Sequence, residues 1–374
     1  MNFYFQDPTI PYSYSLHEAL LQSCSGAQHG GGAYAFVSQD GVKLLLENDT
    51  FKAFVETGSF NLIVGIDQIT NENALIKLRG LRDEYDGLQI RAFLHNVSGS
   101  LFHPKFTWFR NKHGGILVVG SGNLTASGLR KNWEAFNVVQ VDKKIIKKVE
   151  NDWNQWLKYS EGNLKSLDDE LVLEKARSNL RASYKKKTKK KAESQAEVLR
   201  EQNWTAGVVP EDIDAWDFVN EDEVLVAEIP KGSTRWNQAN FDKYNFEKFF
   251  GADPKKKGYI ILLRNVQNSG LLGEIESRPS VSVKSKNYRF ELEAAAGLDY
   301  PSGANRPIGV FICVSVRMFL YVLAMPTDPF YNTINQFLDQ HWEGRADRMK
   351  RINSTVGTLR QSCSDLPFWN IVKL

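Results

Sequence analysis

Through roughly the first 160 residues, short apolar runs alternate with stretches of helical period. Ala33 to Val37 reads as a strand, and Lys43 to Thr57 as a helix with Leu44, Leu45, Phe51, Phe54 and Val55 on its apolar side. Phe60 to Ile66 is a near-continuous apolar run, as expected of a strand buried on both faces. A helix follows from Asn71 to Tyr85. Strands come next at Leu88 to Leu94, Lys105 to Arg110, Gly115 to Val119 and Phe136 to Val141, and a helix rich in Trp, Ile and Leu runs from Lys144 to Lys158. Strands alternating with helices predict an α/β sandwich around a largely buried sheet.

The texture changes after Ser183 to Gln202, a stretch with six lysines between Lys185 and Lys191. A like-charge block of this kind is either a solvated linker or a tether that also touches phosphate. Beyond it, Leu225 to Ile229, Gly258 to Arg264, Ser280 to Lys284, Tyr288 to Glu293, Pro307 to Val314 and Phe319 to Met325 read as short strands between Gly- and Pro-containing turns. Such a series predicts a β-rich barrel or sandwich, closed by helices at Phe330 to Trp342 and Ala346 to Leu359. The organisation expected is therefore an α/β domain over 1–182, a basic linker over 183–202 and a β-rich domain over 203–374.

Composition narrows this picture modestly. A net charge of +3 is too mild to announce nucleic acid by itself, although a basic patch can sit inside a near-neutral total. Cys24, Cys313 and Cys363 are scattered and odd in number, which fits a reducing compartment and no disulfide framework. The N-terminal residues lack a basic, apolar leader, and no run approaches the ~18 apolar residues of a membrane span, so a cytoplasmic protein is expected.

Candidate chemistry concentrates between Leu101 and Asn137. His103 and Lys105 stand two apart at a strand, so both side chains leave the same face. The strand Gly115 to Val119 ends in Gly120-Ser121-Gly122-Asn123, where glycine lets backbone approach a ligand and Ser121 and Asn123 offer donors. Leu124 to Arg130 reads as the start of a helix whose N-terminus would favour an anion. Imidazole, ammonium, amide and hydroxyl converging on one place make a phosphate site with a nucleophile in it, and Glu134 follows just before the next strand. His95 and His113 read as bystanders, and Asp67 either lines the site or caps the next helix. No spacing suggests a metal cluster, and no cofactor is expected.

This arrangement resembles the phospholipase D superfamily, whose signature is H-x-K-x4-D followed by G-S-x-N. The resemblance covers about residues 10 to 160: His103 and Lys105 match H and K, and Ser121 and Asn123 match S and N. Glu134, eleven residues after Asn123, matches the carboxylate that orients the histidine in single-motif nucleases of the family. The family's aspartate position holds Arg110, a departure shared by its restriction-nuclease branch. Only His103, among six histidines, is followed two later by lysine, and the family builds one site from two such motifs. The resemblance therefore implies a homodimer with a shared site, one His103 attacking phosphorus and its twin serving as acid and then base. A lipid hydrolase of this family would be expected to carry both motifs in one chain.

In the second half, Lys231, Arg235, Trp236, Asn237, Gln238 and Asn240 form a polar loop of the residue types that bind base edges. Lys284, Lys286, Asn287 and Arg289 form a second such stretch, and Asn305 and Arg306 belong to a third. The order and texture resemble restriction endonucleases that join a phospholipase-D-like nuclease to a C-terminal B-three-like pseudobarrel, which straddles the major groove with two arms. The function expected is a metal-independent, sequence-specific endonuclease acting on double-stranded DNA, for which a cognate methyltransferase and a separate ATPase or helicase are the candidate partners. The alternatives are the nuclease subunit of a defence complex with a separate ATPase or helicase, a hydrolase of lipids or other phosphodiesters, and a DNA-binding protein with an inactive nuclease fold.

Overall fold

The computed structural model describes residues 2–67, 69–97, 100–181, 216–229, 238–253, 258–279, 288–298, 305–345 and 348–372. They fall in two compact units, Met1–Asp7 with Tyr14–Ala215, and Pro8–Ser13 with Trp216–Leu374. The lysine-rich stretch and the expected strand from Ser280 to Lys284 lie outside the described residues. Among those described, no helix is long and apolar enough to cross a membrane.

The first unit is an eight-stranded mixed sheet between helices. In chain order its strands are β1 (Asn2–Gln6), β2 (His29–Tyr34), β3 (Ser59–Gly65), β4 (Leu88–Phe93), β5 (Lys105–Arg110), β6 (Gly115–Gly120), β7 (Glu134–Val141) and β8 (Leu164–Lys165). They lie in the order β1-β7-β6-β5-β2-β3-β4-β8, with β2, β3 and β4 parallel and the other pairs antiparallel. The helices are α1 (Leu16–Cys24), α2 (Gln39–Leu45), α3 (Asp49–Thr57), α4 (Glu72–Glu84), α5 (Lys143–Tyr159) and α6 (170–181).

Alternation along the strands sorts the core onto two faces. Phe60 and Phe109 stack at 5.7 Å and meet Phe51 and Phe54 of α3 on one face. Ala33, Ile63 and Trp108 meet Ile146, Trp153 and Leu157 of α5 on the other. The packing explains why β2 begins at His29 and not at Ala33. A Cβ on Gly31 would come within 2.7 Å of Trp108 Nε1 and 2.9 Å of Trp153 Nε1, so glycine admits two indoles there. The helix expected over Lys43 to Thr57 is two helices, because the Asn48 side chain accepts from Thr50 N at 3.0 Å and starts a new one.

The second unit is β-rich. A six-stranded sheet runs in the order β12-β11-β15-β14-β9-β16, from β9 (Glu223–Glu228), β11 (Ile260–Val266), β12 (Leu272–Pro279), β14 (Ile308–Ser315), β15 (Met318–Ala324) and β16 (Arg351–Thr355). A separate two-stranded ribbon pairs β10 (Gln238–Phe241) with β13 (Tyr288–Glu291). Phe241, Phe246, Phe250, Phe290, Phe311 and Phe319 fill the core. Helices α7 (Tyr331–His341) and α8 (Val356–Ser362) follow. The closing helix expected over Ala346 to Leu359 is corrected here. Arg351–Thr355 is a strand on the edge of β9, and only then does Thr355 cap α8 by accepting from Thr358 N at 3.3 Å.

Candidate active site

The residues of the H-x-K and G-S-x-N motifs gather at one end of neighbouring strands. β5 and β6 pair with Phe106 opposite Val119, and β6 and β7 with Gly120 opposite Phe136. Continuing those registers brings His103 level with the Ser121–Asn123 turn and that turn level with Glu134. The C-terminal extension of β2 locks the arrangement. Ala35 N donates to Pro104 O at 2.9 Å, and Phe36 N donates to Asn123 Oδ1 at 3.3 Å. Leu124 N donates to Phe36 O at 3.2 Å, while Ser38 N donates to Leu124 O at 3.1 Å.

Those last two bonds correct one expectation. The helix expected to start in Leu124 to Arg130 begins later, because Leu124 pairs in parallel with Val37, and it is a single π-helical turn over Ser127–Lys131. The turn packs closely: a Cβ on Gly128 would stand 2.6 Å from Asn123 N.

His103 is exposed, and the Lys105 ammonium lies 3.1 Å from its Nδ1 and 2.9 Å from its Nε2. Burial, and then the Lys105 charge, pull the His103 pKa below its ordinary 6.5. A neutral ring keeps a lone pair at neutral pH, which a nucleophile requires. Asn123 is buried at 2% exposure.

Glu134 opens β7 and is buried; it accepts from Ser121 Oγ, and its Oε1 accepts from Asn132 Nδ2 at 3.2 Å. Ala135 N in turn donates to Ser121 Oγ at 3.1 Å. Within one chain these bonds direct the carboxylate to the serine and Asn132.

Several supporting residues escaped the sequence reading. Gln6 is buried on β1; its Nε2 donates to Asn132 O at 2.9 Å and to Gly128 O at 3.3 Å, and its Oε1 accepts from Leu16 N at 2.9 Å. Arg130 is fully buried, with Nε donating to His17 Nδ1 at 3.0 Å and Nη1 lying 3.6 Å from Glu18 Oε1. Glu18 also accepts from Ser15 Oγ at 2.8 Å in a capping box that starts α1. Ser15-x-x-Glu18 is a readable pattern; nothing local marks Gln6.

Outside the site, His95 Nδ1 accepts from Val97 N at 3.2 Å and His113 lies in an exposed turn with Asn111. Asp67 faces Lys175 at 3.5 Å, and Asn71 is the cap of α4. In the second unit, Asn240 sits directly opposite Arg289 on the β10–β13 ribbon, two residues along from Gln238. Arg306 pairs with Glu228 at 3.1 Å, and Asn305 is exposed just before β14. Lys231, Arg235, Trp236, Asn237, Lys284, Lys286 and Asn287 lie outside the described residues.

Residues 67–157, which hold all five site residues, match the family described as cardiolipin synthase, PLD-like domain. Among solved structures the chain is similar to Nuc from Salmonella typhimurium, at 14% identity over 44% of this chain and 95% of that one, with a TM-score of 0.32. NucT from Helicobacter pylori gives 16% identity over 44% and 99%, with a TM-score of 0.30. The N-terminal domain of Helicobacter pylori LlaJI.R1 gives 13% over 35% and 97%, with a TM-score of 0.26. These values are too low to carry an activity across. No curated protein matches the chain.

Proposed function

We propose that the protein is a sequence-specific DNA endonuclease of the restriction type, cutting through a phosphohistidine at a site shared by two copies of the chain. The observation that carries this reading is the Lys105 ammonium against an exposed, charge-neutral His103, at the strand end where Asn123 and the Ser121–Glu134 pair also stand. One ring nitrogen of His103 attacks phosphorus; the P–N bond forms as the P–O bond to the leaving group breaks. His103 of the second copy enters the cycle as imidazolium, so that the pair holds one extra proton, and gives that proton to the leaving oxygen. It then takes a proton from water, whose oxygen displaces the first histidine and leaves a terminal phosphate. Lys105 and Asn123 of both copies stabilise the charge on the equatorial oxygens. With two ammonium groups supplying positive charge, the reaction proceeds in EDTA. The second unit reads bases through the stretches around Arg235, Asn240, Arg289 and Arg306, in a B-three-like manner.

The test is plasmid cleavage in EDTA by wild-type chain mixed with a His103→Ala chain after co-refolding. A shared site predicts that an equal mixture retains about a quarter of the activity, because mixed dimers lack one of the paired histidines. Retention of about half assigns a complete site to each chain and refutes the shared arrangement. Absence of any cutting in EDTA refutes the endonuclease reading.

A further inference from the structure

Behind the strand end that carries His103 and Lys105 lies an open, mostly apolar cleft of about 510 Å³. Its walls include Phe102, Pro104, Phe106, Trp153 and Trp156, and Asp152 is the charged residue lining it. The volume is within the ~300–1,000 Å³ range of small-molecule sites. Because side chains alternate, Phe102, Pro104 and Phe106 face the cleft while His103 and Lys105 face the other way. The cleft and the nucleophile are therefore back to back across one strand end.

We propose that this cleft seats an unpaired nucleobase of the substrate strand, one bearing an exocyclic amine; the proposal rests on the DNA-cleaving reading above. Three features favour a flat heteroaromatic ligand. Phe102 and Trp156 on the cleft wall lie within 17° of one another and of Phe93 behind them, which stacks on Phe102 at 4.1 Å, while Phe106 stands edge-on to Trp153 at 81°. Trp153, buried at 5% exposure and 5.1 Å from Trp156, fixes that orientation from the core, so little ordering is lost on binding. Asp152, whose Oδ2 accepts from Lys148 Nζ at 2.6 Å, supplies a carboxylate of the kind that accepts from a base amine. An acyl chain has no plane to match the rings and no donor for the carboxylate. A base next to the scissile phosphate reaches the cleft by wrapping around the strand end, at the cost of unstacking from its neighbours.

The test uses the full chain carrying His103→Ala, in EDTA, with fluorescein-labelled single strands read by anisotropy. The probes are short oligonucleotides of dC, of dT, and of abasic residues with the same length and charge. The dC strand is expected to bind about tenfold or more tightly than the abasic one, the range given by one stacked base. Adding Val149→Trp, which fills the cleft, or Trp156→Ala, which removes a wall, is expected to bring that ratio to about one. Melting curves identify any variant that fails to fold, and the other variant then decides. A dC-to-abasic ratio of one in the parent, or a ratio that survives in the folded variants, overturns the cleft. So does binding of phosphatidylglycerol vesicles that Val149→Trp abolishes, which would make the occupant a lipid. Equal affinity for dC and dT, or a dC preference unaffected by Asp152→Asn, overturns the part given to Asp152. A base-dependent ratio in a chain whose wild type cuts no DNA refutes the nuclease reading alone, and cutting without the ratio refutes the cleft alone.

Discussion

Asn123→Asp separates the chemistry of the site from its architecture. Asn123 is 2% exposed, and its Oδ1 accepts from Phe36 N at 3.3 Å. An aspartate keeps an acceptor at that position and nearly the same volume, so the tie between the G-S-x-N turn and the β2 extension survives. What changes is the other terminal atom, from an N–H donor to an oxygen. Losing one preorganised donor to a developing oxyanion costs about 2.7–4 kcal/mol, or about 10²–10³ in rate. An ionised carboxylate about 4 Å from a phosphate oxygen adds up to ~4 kcal/mol of repulsion at an effective dielectric of ~20, part of which Lys105 offsets. The expected drop in single-turnover cleavage of supercoiled plasmid in EDTA is therefore at least about 10³-fold. The loss should deepen as pH rises and the new carboxyl ionises. The melting midpoint should fall as the buried carboxyl ionises, so cleavage is compared well below it. A loss below about tenfold in a folded variant refutes the assignment of Asn123 to the transition state.

The remaining predictions are these. Arg130→Met leaves Glu18 buried without its cation, a change that costs about 3–5 kcal/mol and lowers the first calorimetric transition by about 6–20 °C; a shift of a degree or two would show that Arg130 is not a structural keystone. Lys105→Met removes one of the two causes that depress His103 and leaves burial, so the ring's titration by NMR should move up toward 6.5, and a downward move contradicts the assignment. Because the folded His103 titrates below its unfolded value, its stabilising contribution is complete above pH 6.5 and is lost as pH falls through the folded pKa. The acidic limb of cleavage should accordingly lie below 6.5 in the wild type. Gln6→Ala removes donors from Gly128 O and Asn132 O; cleavage should fall by more than the small loss in melting temperature explains, and normal cleavage would deny Gln6 a positioning part.

Much of the first unit is legible because its strands are buried runs and α4 and α5 carry clear caps and periods. The departures each have a non-local cause. Glycine lowers strand propensity, so His29–Gly32 hides from a pattern search, yet Gly31 is what the Trp108 and Trp153 indoles need. β12 carries Glu274, Glu276 and Arg278 on a sheet edge and lacks an apolar signal. β16 exists because β9 offers it a ladder, and a ladder is invisible to a window that sees only Arg351–Thr355. The same holds at the site. His103, Lys105, Ser121, Asn123 and Glu134 stand out through spacing, whereas the bond from Gln6 to Asn132 spans 126 residues. The His17–Glu18–Arg130 network likewise joins residues 113 apart.

The resting contact between Lys105 and His103 constrains how the proposed reaction begins. An ammonium 2.9–3.1 Å from both ring nitrogens sits over the ring face, and its charge draws on the lone pair that nucleophilic attack requires. The same charge that keeps the ring neutral thus also weakens it as a nucleophile. An incoming phosphodiester resolves the conflict, because its oxygens are stronger acceptors for an ammonium than a neutral imidazole is. Lysine shifting from ring to phosphate would restore the lone pair's donor strength at the moment the electrophile arrives, and would neutralise the charge that otherwise repels attack. On that reading one lysine both quiets the free site and arms the occupied one, and Lys105→Arg, charged but too broad to leave a ring nitrogen for one phosphate oxygen in the same way, should restore binding of DNA far better than its cleavage.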